Sequence, residues 1–156
     1  MEMDIGIKKT SRKKITEGLK YFLADTYMLY LKTQNFHWNL VGANFYSFHI
    51  LLEKQYEDMA EAVDEVAERI RALGEFAPAT FTEFKKLTQL KEEKKSLKQN
   101  QMIETLTHDH EKIAKITKKL IRLSQDEYDD ITADMLIKRI AFHEKSAWML
   151  RSSLEK

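Results

Sequence analysis

The 156-residue chain is 43% hydrophobic and 33% charged, enough apolar content for one packed domain and too much for a disordered one. A net charge of +1 gives no global attraction for nucleic acid, and the absence of Cys excludes disulfides and thiolate metal sites. No apolar run approaches the roughly 20 residues that span a bilayer, and residues 1–20 lack the apolar segment of a signal peptide, so the cytosol is the expected compartment.

Four Gly and one Pro leave little punctuation for strands and favour long helices. Residues 1–10 read as a short mobile tail. A first helix is predicted over 11–38, where Leu19, Phe22, Leu23, Thr26, Tyr27, Tyr30 and Leu31 recur at 3-4 spacing. Gly42 and Asn44 break it. A second helix is predicted over 44–73, with Gly74 as the left-handed residue beyond its end. The connection over 75–99 is long. Within it, Thr80-x-x-Glu83 has the form of a capping box ahead of Phe84 and Leu87, which predicts a short extra helix. The Lys/Glu-rich run 91–98 reads as a solvated loop or helix lead-in. Two more helices are predicted over 100–123, carried by Ile103, Leu106, Ile113, Ile116, Leu120 and Leu123, and over 132–154, carried by Met135, Leu136, Ile140, Phe142, Trp148 and Leu150. The expectation is a single all-α domain over 1–156, a four-helix bundle with one long crossover between helices two and three.

His49, Glu53, Asp64 and Glu68 share one stripe of the second helix, and His37 ends the first helix across a tight turn. His with carboxylate suits a borderline metal such as Fe(II) or Zn(II). The competing reading is an ordinary solvated acidic face, because Glu57, Asp58, Glu61 and Glu65 surround the stripe. Spacing adds a constraint. His49 and Asp64 are 15 positions apart, which is about 22 Å of helix rise, so one helix cannot bring both to one ion. Two antiparallel copies can. His49 and Glu68, like Glu53 and Asp64, are placed symmetrically about a point between Asp58 and Met59. A two-fold axis there sets each opposite its mate, as an isologous interface requires.

The run Asn35-Phe36-His37-Trp38-Asn39-Leu40-Val41-Gly42-Ala43-Asn44-Phe45, followed by His49, Glu53, Asp64-Glu65-x-x-Glu68-Arg69 and Leu73-Gly74, resembles the Dps family, the miniferritins or DNA-binding proteins from starved cells. The resemblance covers the whole chain. It implies a ferritin-like bundle, assembly from two-fold dimers into a hollow dodecamer, and a ferroxidase site shared between two subunits. His37, His49 and Glu53 then come from one chain, and Asp64 and Glu68 from the other, in agreement with the antiparallel pairing. It further implies oxidation of Fe(II), preferentially by hydrogen peroxide, storage as ferric oxide and protection of DNA. Position 53 is often Asp in the family and is Glu here, a longer arm that alters metal spacing. Trp38 reads as a packing aromatic, and by resemblance also as a receiver of oxidising equivalents. No Glu stands three positions before any His, so the Glu-x-x-His pairs of intra-bundle di-iron sites are missing.

Asp130 and Asp134 open the last helix on one face. Helix-dipole complementarity explains them at about 0.3–1 kcal/mol, while the resemblance makes them the lining of three-fold pores that admit Fe(II). Glu144 is a candidate further along, and Asp126, Glu127 and Asp129 add to the negative field at that corner. Lys8, Lys9, Arg12, Lys13 and Lys14 read as the only basic cluster. They are candidate sequence-independent contacts to DNA phosphates, or simply a solvated helix start. His108 and His110, two positions apart, point in different directions from a helix and are expected on the surface. His143 is expected to be structural. Two other readings stay open: a nucleoid-coating protein with incidental iron chemistry, and a structural bundle with vestigial acids.

Overall fold

The computed structural model describes residues 3–93 and 96–154. Every regular element among them is a helix: α1 Lys9–Asn39, α2 Phe45–Ala72, α3 Phe81–Leu87, α4 Gln99–Asp126 and α5 Asp130–Ser152. The predicted helices are all present, with ends displaced by one to three residues. α1 starts at Lys9, so the last two residues of the expected tail are helical. α5 starts two residues early because Asp129 caps it, its carboxylate accepting from the Thr132 N–H at 3.0 Å.

Helices α1 and α2 form one hairpin, α4 and α5 another, and α1 packs on α4. Leu19, Leu23, Leu29 and Phe36 of α1 meet Leu52, Met59, Val66 and Ile70 of α2, Ile103, Leu106 and Ile113 of α4, and Leu136 and Leu150 of α5 in one core. Each such side chain contributes roughly 1.5–3 kcal/mol by leaving water. Two residues assigned to apolar stripes face outward instead: Leu31 is 42% exposed and Trp148 61% exposed. They sit at the margins of stripes whose centres already fill the core.

Gly74 adopts φ +96° and ends α2 in a Schellman turn, with its N–H on the Arg71 carbonyl and that of Glu75 on the Ile70 carbonyl. The capping box at Thr80 and Glu83 starts α3 as predicted. Asp25, buried in α1, holds the crossover by accepting from the Thr88 hydroxyl at 2.8 Å and the Gln89 N–H at 2.6 Å. The partly buried pair Lys32–Asp109, at 2.5 Å, ties α1 to α4.

Candidate metal centre

Helix α1 ends where Leu40 caps it, and the chain reverses through Gly42 at φ +144° before α2 begins. The turn needs glycine for its backbone, because φ +144° strains any residue with a Cβ; the Gln99 amide that such a Cβ would meet at 2.7 Å is the tip of a flexible side chain. This reversal stacks His37 on His49, with ring centres 3.7 Å apart and planes 15° from parallel. Nδ1 of His37 lies 2.8 Å from the His49 carbonyl oxygen, and Nδ1 of His49 lies 3.0 Å from the His37 carbonyl oxygen. A carbonyl only accepts, so each Nδ1 carries the proton. In the neutral ring Nε2 then keeps the lone pair a metal needs. Phe45 also stacks on His49 at 5.0 Å, and Tyr56 meets His37 edge-on at 5.1 Å.

Glu53 follows one turn after His49 and is half-buried, while Asp64 and Glu68 lie toward the far end of the same unbroken helix. The structure therefore brings His37, His49 and Glu53 to one end of α2 and leaves Asp64 and Glu68 at the other. Among the described residues of one chain, no three His, Asp or Glu side chains converge as a complete metal cluster.

The Asp64–Glu68 end is anchored by a residue outside the expected ligand set. Arg69 donates to Asp129 at 2.6 Å and to the Thr132 hydroxyl at 2.8 Å, tying α2 to the first turn of α5. Asp129 is 1% exposed and ion-paired, so it does not join the negative field expected of it. Glu127 is likewise engaged, by the Ser11 hydroxyl and by Lys14. Those contacts hold its carboxyl below the usual range, the Ser11 hydrogen bond most of all. Asp130 stays exposed, Asp134 pairs with Lys138 at 2.7 Å and Glu144 with Lys118 at 3.5 Å. A cleft of about 370 Å³ lined by Glu65, Glu68, Arg69, Asp134 and Lys138 connects the candidate pore acid Asp134 to the candidate ligand Glu68.

The ferritin-like domain family matches residues 16–156 of this chain. A DNA protection during starvation protein of Helicobacter pylori is 36% identical over 142 residues, 90% of this chain and 99% of its own length. The chain belongs to the Dps family of ferritin-like proteins. A low temperature-induced protein of Nostoc is 37% identical over 98% of this chain and 87% of its own. The crystal structure of the Vibrio cholerae Dps, described as a member of a broad superfamily of ferritin-like diiron-carboxylate proteins, superposes with a TM-score of 0.93 at 27% identity. It covers 99% of this chain and 98% of that one.

Against this Dps framework three sequence expectations change. His110 is not a surface residue: it is fully buried, and its Nδ1 lies 2.8 Å from Nδ1 of His143, also buried. A two-residue offset turns His110 into the bundle and leaves His108 in solvent, with its Nδ1 3.6 Å from the Glu111 carboxylate. The N-terminal lysines are not the only basic cluster. Lys115, Lys119 and Arg122 share an exposed face of α4, and α4 runs beside the start of α1, where Gly18 packs on Leu120 and Lys14 pairs with Glu127. Trp38 is 61% exposed and, among the described residues, makes no ring contact. The aromatic that meets His37 edge-on is Tyr56. Its position three residues after Glu53 was the available signal.

Proposed function

We propose that this chain oxidises Fe(II), preferentially with hydrogen peroxide, at sites shared across a two-fold dimer. His37, His49 and Glu53 of one copy and Asp64 and Glu68 of its mate hold the iron substrate. The product is stored as ferric oxide inside a dodecameric shell in the cytoplasm, which removes both reagents of hydroxyl-radical chemistry and so protects DNA. The observation that carries this reading is the reciprocal His37–His49 clasp, which stacks the two rings and leaves both Nε2 lone pairs outside the clasp, one helical turn before Glu53. Neutral imidazole receives Fe(II), and carboxylates, as hard donors, stabilise Fe(III) more than Fe(II) and so favour oxidation. Two Fe(II) supply the two electrons that cleave the peroxide O–O bond. The diiron-carboxylate description of the Vibrio cholerae relative and the name of the Helicobacter pylori relative support the same assignment.

The test is complementation. His49→Ala and Asp64→Ala each lose rapid peroxide-driven oxidation, and mixed dimers of the two regain one intact site of the two. Inactive mixed dimers overturn the shared site. Gel filtration read for iron and protein together tests storage on a large shell. The exposed basic clusters of the neighbouring helices α1 and α4 favour a second reading, direct coating of DNA, which salt-sensitive retardation of DNA by the metal-free protein tests.

A further inference from the structure

We infer that Tyr56 is an electron donor to the iron site and that Tyr30 and Tyr27 carry the resulting hole away from it. The inference rests on the iron-oxidising reading above. Tyr56 meets the candidate site with its ring edge-on to His37 at 5.1 Å, and it stands one helical turn after Glu53 on α2. The aromatic line continues away from the site. Tyr56 meets Tyr30 at 6.1 Å and 72°, and Tyr30 meets Tyr27 at 5.8 Å and 71°. These are edge-to-face pairs, an arrangement aromatic rings prefer. Tyr27 then stacks on Phe84 of α3 at 4.7 Å, a ring too hard to oxidise to extend the path. The three phenols thus form a continuous line from α2 across α1, and nothing in the core packing requires hydroxyls on it: all three residues are only half-buried.

The chemistry gives that line a use. Hydrogen peroxide needs two electrons to become two waters, and each Fe(II) supplies one. A site holding a single Fe(II) otherwise splits peroxide into hydroxide and a hydroxyl radical. With Tyr56 as the second donor the step balances. Fe(II), hydrogen peroxide, the Tyr56 phenol and one proton give Fe(III), two waters and a neutral Tyr56 radical. Hydrogen-atom exchange with Tyr30, and then Tyr27, restores Tyr56 and moves the radical outward. A later Fe(II), with one proton, reduces the radical to tyrosine and becomes Fe(III). Trp38, exposed and without ring contacts among the described residues, is not on this path.

The experiment mixes substoichiometric Fe(II)-loaded protein with peroxide, freezes it rapidly, and reads each sample for Fe(III), for the organic radical by electron paramagnetic resonance, and for hydroxyl radical by spin trapping. The wild type gives a radical whose signal narrows when its tyrosines are ring-deuterated. Tyr56→Phe loses that radical and releases more hydroxyl radical. Tyr30→Phe keeps a radical on Tyr56 with an altered decay, a readout that loss of packing does not move. Fe(III) formation without a tyrosine radical, or with one that survives Tyr56→Phe, overturns the path and leaves the iron site standing. No accelerated Fe(III) formation by the wild type overturns the site and the path together.

Discussion

His37 and His49 each donate Nδ1–H to the other's backbone carbonyl, at 2.8 and 3.0 Å, so the two helix ends are clasped by the side chains expected to take up iron. His49 thereby satisfies a carbonyl in the last turn of α1 that has no helical partner. Its ring is oriented before any ion arrives.

His49→Ala is expected to weaken Fe(II) binding by at least the ~10–100-fold typical of disturbing an oriented metal ligand. It should also cost ~1 kcal/mol of stability in the metal-free protein, from removal of the hydrogen bond. Titration with Zn(II), which is redox-silent, separates binding from oxidation. Unchanged Zn(II) affinity in the variant would remove His49 from the ligand set.

The His110–His143 pair predicts acid lability. Burial drives the His110 imidazole down to about 3, with the Arg139 charge adding to it, and burial likewise lowers His143 well below its usual range. Unfolding returns both rings to roughly 6.5, so below that pH the unfolded chain binds more protons and stability falls. For His110 alone the loss between pH 8 and pH 5 is about 2 kcal/mol. Asp25 and Asp109, raised from the ordinary aspartate value chiefly by burial, act in the opposite direction. Thermal melts of the metal-free protein should fall in Tm across this window, and a His110→Gln/His143→Gln variant should fall less. Identical slopes would reject the assignment.

Arg69→Ala leaves Asp129 buried and unpaired, an expected loss of about 3–5 kcal/mol. Asp129→Asn keeps an acceptor for Thr132 and should cost less. Chemical denaturation decides, and a loss below the ~1 kcal/mol of an exposed pair would mean that the α2–α5 tie is slack. Because Glu68 precedes Arg69, the alanine variant should also slow iron oxidation beyond what its stability explains.

The two basic clusters are tested with two reversals, Lys8, Lys9 and Lys13 to Glu at the start of α1, and Lys115, Lys119 and Arg122 to Glu on α4. Each should weaken DNA retention without sequence preference and flatten its salt dependence by about one unit of slope for every phosphate left unneutralised. DNA retention that only the α1 set abolishes would confine the interaction to the N-terminal cluster.

Helix number and type, the α3 capping box and the Gly74 stop were determined by the sequence alone, because apolar spacing, caps and glycine act within a few residues of themselves. So was the separation of His49 and Glu53 from Asp64 and Glu68 along α2, since 15 positions of rigid helix cannot fold back on themselves. Tertiary structure decided what depends on partners distant in the chain. It turned His110 inward onto His143, neutralised Asp129 with Arg69, set Tyr56 rather than Trp38 against His37, and laid the start of α1, with Lys14, against the end of α4. A helical residue's face follows from its own neighbours, but its charge, exposure and contacts are set by whichever helix the chain lays beside it, and local periodicity does not encode that choice.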